Sequence, residues 1–222
     1  MSPSKTTSRR TGRSGRWADV EDYQRSSGNR RQRGRLFIIC EGKETEPLYF
    51  ESAWKERQKQ NQLDPTMIVR PGKAKTYPTA IVKRAIEIKE SSNWDEELDQ
   101  IWAVFDTEQA GTHPDLLRAI QLAEQNQVYL AVSNPSIEYW FLLHFENTNR
   151  PFQNADQLCD ALRRYIPEYN KSKPVYLWIR EQLETALARA KSFRNGSKRK
   201  WEEIPNPSTG IDILVRRIFR SL

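Results

Sequence analysis

The stretch Leu36-Phe37-Ile38-Ile39-Cys40-Glu41-Gly42 runs apolar for five residues and then stops on an acid and a glycine. An unbroken apolar run of this length is the pattern of a strand covered on both faces, as in a parallel sheet between two helical layers. A second run, Ile101-Trp102-Ala103-Val104-Phe105, ends the same way, on Asp106. Between the two lie helical and strand signals in alternation. Thr45 to about Asn61 places Leu48, Tyr49, Ala53 and Trp54 on one helical face, with Pro47 in the first turn. Met67-Ile68-Val69 reads as a short strand, broken by Pro71-Gly72. Pro78 to about Ser91 is a second helix. Beyond the second run, Pro114 to Gln125 reads as a helix and Val128 to Val132 as a strand. The order β-α-β-α-β-α-β predicts an α/β protein with a doubly wound, mainly parallel sheet flanked by helices. Ser136 to His144 opens a further helix. The part from about 150 to 222 is predicted to be helical, over about 156–165, 175–192 and 208–220.

The charge is unevenly placed. Residues 1–35 carry ten Lys and Arg against Asp19, Glu21 and Asp22, which accounts for the whole net charge of +7. Residues 1–34 are rich in Ser, Arg, Gly and Thr and show no hydrophobic period, so a disordered basic tail is expected ahead of a domain over 35–222. Such an arm is drawn to phosphate backbones without reading sequence, or is simply a solvated extension. No apolar run approaches the roughly 20 residues that span a bilayer, and the first residues lack the apolar core of a secretory leader. Cys40 and Cys159 make neither a disulfide framework nor a zinc ligand set. Both are expected to be small buried hydrophobes, and a cytoplasmic setting follows. No Walker-type phosphate loop is present, so any ATP use belongs to a partner.

The chemistry is expected where the two apolar strands end. Ligands of an open parallel sheet sit beyond the carboxyl ends of its strands. Glu41, Asp106 and Glu108 all arrive there, the last two on one side of an extended segment. Clustered carboxylates repel unless a cation neutralises them. Hard oxygens suit Mg²⁺ or Mn²⁺, ions that activate water and steady a leaving alkoxide in phosphodiester hydrolysis. Gly42 permits close backbone approach. The plainer alternative is acids that cap strand ends beside solvent.

Glu41-Gly42 followed later by Asp106-Thr107-Glu108 resembles the Toprim pattern of topoisomerases, primases and related nucleases, a Glu-Gly after the first strand and an Asp-x-Asp after a later one. Glu108 stands where that pattern has Asp; the carboxylate is kept and reaches about one methylene further. A closer resemblance, over about residues 36–220, is to RloB-like proteins. It is carried by Ile39-Cys40-Glu41-Gly42-Lys43-Glu44-Thr45-Glu46-Pro47-Leu48-Tyr49-Phe50, by Val104-Phe105-Asp106, by the segment from Ser133-Asn134-Pro135-Ser136-Ile137-Glu138 to His144-Phe145, and by Asn206-Pro207-Ser208-Thr209. The resemblance implies a Toprim-like fold and a metal-dependent nuclease acting on DNA or RNA, tRNA included. It also implies an effector of antiphage defence that works with an ABC-type ATPase.

Glu41, Asp106 and Glu108 are thus the expected catalytic, metal-binding acids. Glu46 either complements the dipole of its helix or, by similarity to Toprim nucleases of the overcoming-lysogenization-defect type, is a ligand for a second metal. Glu138 heads an apolar helix at the same sheet edge and is placed in the site by the family resemblance. Lys171, in the loop Tyr169-Asn170-Lys171-Ser172-Lys173-Pro174, is the expected transition-state-stabilising cation, because similar families place a Lys after a Tyr there. Lys43 and Lys73 are candidate phosphate contacts near the strand ends. Arg194, Lys198, Arg199 and Lys200 lie in a segment that interleaves cations with Phe193 and Trp201, a pattern suited to nucleic acid or to a solvated loop. His113 is a possible proton shuttle, and His144 a core residue. The alternative to the nuclease is a non-catalytic Toprim-like module that binds nucleic acid or the ATPase, and the Asp-x-Glu departure is the feature favouring it.

Overall fold

Every residue of β1 (Arg35–Cys40) is buried, because the strand is covered on both faces. It pairs in parallel with β2 (Thr66–Arg70) on one side and with β3 (Gln100–Asp106) on the other. β4 (Tyr129–Asn134) adds in parallel to β3, and the two-residue β5 (Ser208–Thr209) closes that edge antiparallel. The strand order is therefore β2-β1-β3-β4-β5. The chain runs outward from β1 to β2 and then returns across β1 to β3, so the direction of winding reverses between β1 and β3. That reversal is a topological switch point, the place where open α/β sheets bind ligands beyond the carboxyl ends of their strands. The computed structural model describes residues 34–60, 66–71, 77–107, 114–195 and 204–219. The expected disordered tail thus lies, but for Gly34, outside the described residues.

Side chains alternate along the strands and build two cores. Phe37, Ile39, Ile101, Ala103 and Phe105 pack against α2 (Pro78–Ser91) and α3 (Pro114–Gln125). Leu36, Ile38, Cys40, Trp102 and Val104 pack against α1 (Thr45–Gln60) and against the helices of the C-terminal part. Those helices are α4 (Glu138–Leu142), α5 (Ala155–Arg163), α6 (Tyr176–Ile179), α7 (Leu183–Asn195) and α8 (Ile211–Phe219). They share one core with the sheet: Trp140 of α4 donates its Nε1–H to the Tyr49 hydroxyl of α1 at 2.8 Å, both fully buried. The α/β architecture, with a mostly parallel five-stranded sheet flanked by helices, agrees with the expectation.

Several boundaries differ from the expected ones. The segment 175–192 is not one helix. A 3-10 turn, Arg180–Gln182, separates α6 from α7, and its tighter winding lets Ile179 and Ala186 each face the core from a separate helix. Ser208 and Thr209 form a strand rather than a helix start. Their backbone is captured by the edge of β4, and the Thr209 hydroxyl accepts the Ile211 N–H at 3.1 Å, capping α8. The helix expected over 136–144 shrinks to Glu138–Leu142. The strand expected from Val128 runs from Tyr129 to Asn134, because the Val128 N–H goes back to the Ala123 carbonyl. Both cysteines are buried free thiols, as expected. His144 is buried with Nδ1 3.0 Å from the Trp140 carbonyl, and burial pushes its pKa down to about 4, so it stays a neutral core residue. Among the described residues, no helix is long and apolar enough to cross a membrane.

Candidate active site

Four acids come together at the carboxyl ends of β1 and β3. Glu41 follows β1 directly. Its backbone N–H continues the ladder to the Val104 carbonyl at 2.9 Å, and its Oε2 accepts the Asp106 N–H at 2.9 Å. The carboxylate therefore leans across the switch point onto the end of β3. Asp106 is the last residue of β3, half-buried, and its carboxylate accepts the Ile137 N–H. Glu46 stands in the first turn of α1, where the helix N-terminus favours negative charge. Its side chain folds back so that Oε1 accepts the Gly42 N–H at 3.1 Å. Glu138 opens α4, almost fully buried. Its Oε2 accepts from the Ser136 hydroxyl at 2.6 Å and its Oε1 from the Tyr169 hydroxyl at 2.9 Å, with Lys171 Nζ 3.4 Å from Oε1.

The electrostatics follow from this crowding. Burial, and then the charges of Glu46, Glu138 and Glu41, push the Asp106 pKa well above the ordinary carboxylate range. Burial raises Glu46 as well, with Glu138 adding to the effect and Lys171 opposing it. Burial works against the charge on Lys171, but Glu138 and more distantly Asp106 outweigh it, and the pKa of its ammonium is raised. Among the described residues, the site thus sets several acids against the Lys171 ammonium, a deficit of positive charge.

Among the described residues, no three acid, histidine or cysteine side chains close into a metal cage. A hard divalent ion does not demand one. Mg²⁺ keeps several of its waters and is usually bound through one or two carboxylates together with substrate phosphates. The donor set fits such an ion: the strained, half-buried Asp106 carboxylate gains most from a neighbouring positive charge, and Glu41 and Glu46 offer further hard oxygens beside it.

Gly42 holds this arrangement open. A Cβ there would lie 2.1 Å from Glu46 Oε2, so Gly42→Ala must drive the carboxylate out of its place. The clash is with the far end of a flexible side chain, and the fold can absorb it. We expect Gly42→Ala to weaken Mn²⁺ binding roughly 10–100-fold, as loss of a supporting contact typically does, while Tm changes little. Titration of Mn²⁺ by electron paramagnetic resonance, beside a thermal melt in chelator, checks both halves.

Of the residues expected in the site, Glu41, Glu46, Asp106, Glu138 and Lys171 are brought together. Lys43 is exposed in the turn that follows Gly42. Arg194 is half-buried and ion-paired with Asp212, and it ties α7 to α8. Glu108, Lys73, His113, Lys198, Arg199 and Lys200 lie outside the described residues. Sequence reasoning missed Ser136 and Tyr169 as partners of Glu138. It also missed the clasp by which the Thr45 hydroxyl donates to the Lys171 carbonyl at 3.2 Å and Ser172 donates to the Glu44 carboxylate. Ser136 and Tyr169 each stand two residues before a suspected site residue, a spacing that could have drawn notice.

The family model described as RloB-like protein matches residues 36–218. No curated protein and no solved structure matches the chain.

Proposed function

Because the chain belongs to the RloB-like family, we propose that it is a metal-dependent nuclease with a Toprim-type centre, hydrolysing phosphodiester bonds of DNA or RNA, tRNA included. The single observation that carries the reading is the gathering of Glu41, Glu46 and Asp106 with Lys171 at the β1–β3 switch point. Glu41, Glu46 and Asp106, together with Glu108, would hold Mg²⁺ or Mn²⁺. When bound, such an ion supplies an activated water and Lewis-acid stabilisation of the phosphoryl oxygens. Lys171, protonated and half-exposed, faces the charge that grows on the phosphoryl group in the transition state. Lys43 and Lys73 would steady the backbone near the scissile bond. The segment with Lys198, Arg199 and Lys200 and the basic tail would extend that grip, while Arg194 is engaged by Asp212. In this reading the protein is a cytoplasmic effector of antiphage defence, kept in check or triggered by an ABC-type ATPase.

A second reading, a non-catalytic module that binds nucleic acid or the ATPase, is favoured by the lack of a closed ligand cage among the described residues. Cleavage decides between them. Purified protein with Mg²⁺ or Mn²⁺ is incubated with plasmid DNA and with tRNA, alone and with its ATPase active. The nuclease reading expects metal-dependent products that vanish in Glu41→Ala and Asp106→Ala. Silence with both substrates in the presence of the active ATPase sinks it and leaves the binding module.

A further inference from the structure

The Glu138 carboxylate is engaged on both of its oxygens. It is only 1% exposed. One oxygen takes the Ser136 hydroxyl at 2.6 Å; the other takes the Tyr169 hydroxyl at 2.9 Å and faces Lys171 Nζ at 3.4 Å. Tyr169 is itself 4% exposed, and burial beside Glu138 raises its phenol pKa, so it remains a donor and cannot turn to water instead. A carboxylate has about four lone-pair sites. Ser136, Tyr169 and Lys171 take three of them and the buried Cys159 thiol lies against the same carboxylate, so a metal ion would have to displace a buried donor, which costs the desolvation of that donor.

Lys171 is held from two sides. Its carbonyl accepts from Thr45 at the start of α1, and the neighbouring Ser172 is tied to Glu44 in the turn just before it. Its ammonium rests on Glu138 while about half of the side chain stays open to solvent. The open half is the side from which a phosphate can arrive.

We propose that Glu138 is the socket of Lys171 rather than a metal ligand, with Ser136 and Tyr169 as positioning residues that aim its carboxylate. The chain of contacts runs from Ser136 and Tyr169 to Glu138, from Glu138 to Lys171, and from Lys171 to the reacting phosphoryl group. The last link rests on the nuclease reading; the others do not.

The test uses the full chain and three measurements on wild type, Tyr169→Phe, Glu138→Gln and Glu41→Gln. The first is Mn²⁺ affinity. Tyr169→Phe and Glu138→Gln should bind Mn²⁺ as the wild type does, whereas Glu41→Gln should not. Loss of Mn²⁺ affinity in Glu138→Gln equal to that in Glu41→Gln would overturn the proposal. The second is the rate of reductive methylation of Lys171, read by peptide mass spectrometry with the exposed Lys83 as internal reference. Labelling should rise several-fold in Tyr169→Phe and Glu138→Gln, since an ion-paired ammonium reacts slowly; an unchanged rate contradicts the socket. The third is cleavage. Tyr169→Phe should lower kcat roughly tenfold with KM nearly unchanged, and should add nothing further in a Lys171→Ala background, since residues acting through one another are not additive. Full additivity would mean that Tyr169 acts elsewhere. If the wild type neither cleaves nor binds Mn²⁺, the nuclease reading fails while the labelling rates still decide the socket.

Discussion

Asp106→Asn is expected to abolish metal-dependent cleavage while making the metal-free protein more stable. The activity loss should be roughly 10³-fold or more, equivalent to about 4 kcal/mol of transition-state stabilisation. The gain in stability has the opposite origin. Burial and the neighbouring Glu46, Glu138 and Glu41 raise the Asp106 pKa above that of an unfolded aspartate, which is about 3.9. A carboxyl with a raised folded pKa binds its proton more tightly in the native state. Its favourable contribution is complete below the unfolded pKa and is lost as pH rises through the folded one. At neutral pH without metal, the ionised Asp106 therefore strains the fold, and asparagine removes the strain. A gain of about 1 kcal/mol, roughly 2–4 °C in Tm for a chain of this size, is expected in chelator. The loss of stability between pH 4 and neutrality should be shallower than in the wild type. Added Mg²⁺ should stabilise the wild type by mass action and leave Asp106→Asn unmoved. Melting curves across pH, with and without Mg²⁺, check each part; a less stable Asp106→Asn in chelator would show that the aspartate is structural.

Asp99→Ala is expected to cause a large loss of stability without reaching the acid cluster. Asp99 sits just before β3, at the opposite edge of the sheet from the acid cluster. It accepts the Arg35 N–H at 2.8 Å, Arg35 Nε at 3.1 Å, Arg35 Nη2 at 2.5 Å and the Asp95 N–H at 3.0 Å. Both side chains are essentially out of solvent. Removing the acid breaks this pair while the guanidinium keeps contacts such as the Asn93 carbonyl and the face of the Phe37 ring, 5.2 Å away. Breaking a buried ion pair by removing one partner costs about 3–5 kcal/mol. The fall in Tm should be roughly 10–15 °C, with Mn²⁺ affinity near that of the wild type at low temperature. A shift in the urea midpoint worth less than about 1 kcal/mol would mean that the remaining contacts suffice to hold Arg35.

How much of this was legible in the sequence depended on whether the cause was local. The runs ending at Cys40 and Phe105 were legible because a strand covered on both faces needs no knowledge of its partners to be recognised. Pro78 and Pro114 marked helix starts because proline is tolerated only in the first turn. The acids at the ends of β1 and β3 were legible for the same reason, since any parallel strand delivers its last residue to one edge. What brings Glu41 onto Asp106 is the order β2-β1-β3, and nothing local announces that two strands 60 residues apart are neighbours. Ser208 and Thr209 stand directly before the apolar run of α8, where Ser and Thr are common at helix starts, while their pairing with Ser133 and Asn134 is long-range. Arg194 read as one of a cluster of nucleic-acid-binding cations, since its partner Asp212 lies 18 residues away in sequence. The bonds of Tyr169 and Ser136 to Glu138 depend on how the C-terminal helices fold back over the sheet edge, which periodicity does not encode.

In the reading proposed above, Glu41 and Asp106 hold a divalent cation at the β1–β3 switch point. Crystals of the full chain soaked in Mn²⁺ and measured at the manganese absorption edge address it directly. An anomalous peak is expected about 2.0–2.2 Å from oxygens of both Glu41 and Asp106, as for a hard octahedral ion, with loss of that peak in Asp106→Asn. A well-ordered site with no peak at saturating Mn²⁺, or a peak bound elsewhere on the molecule, would contradict it.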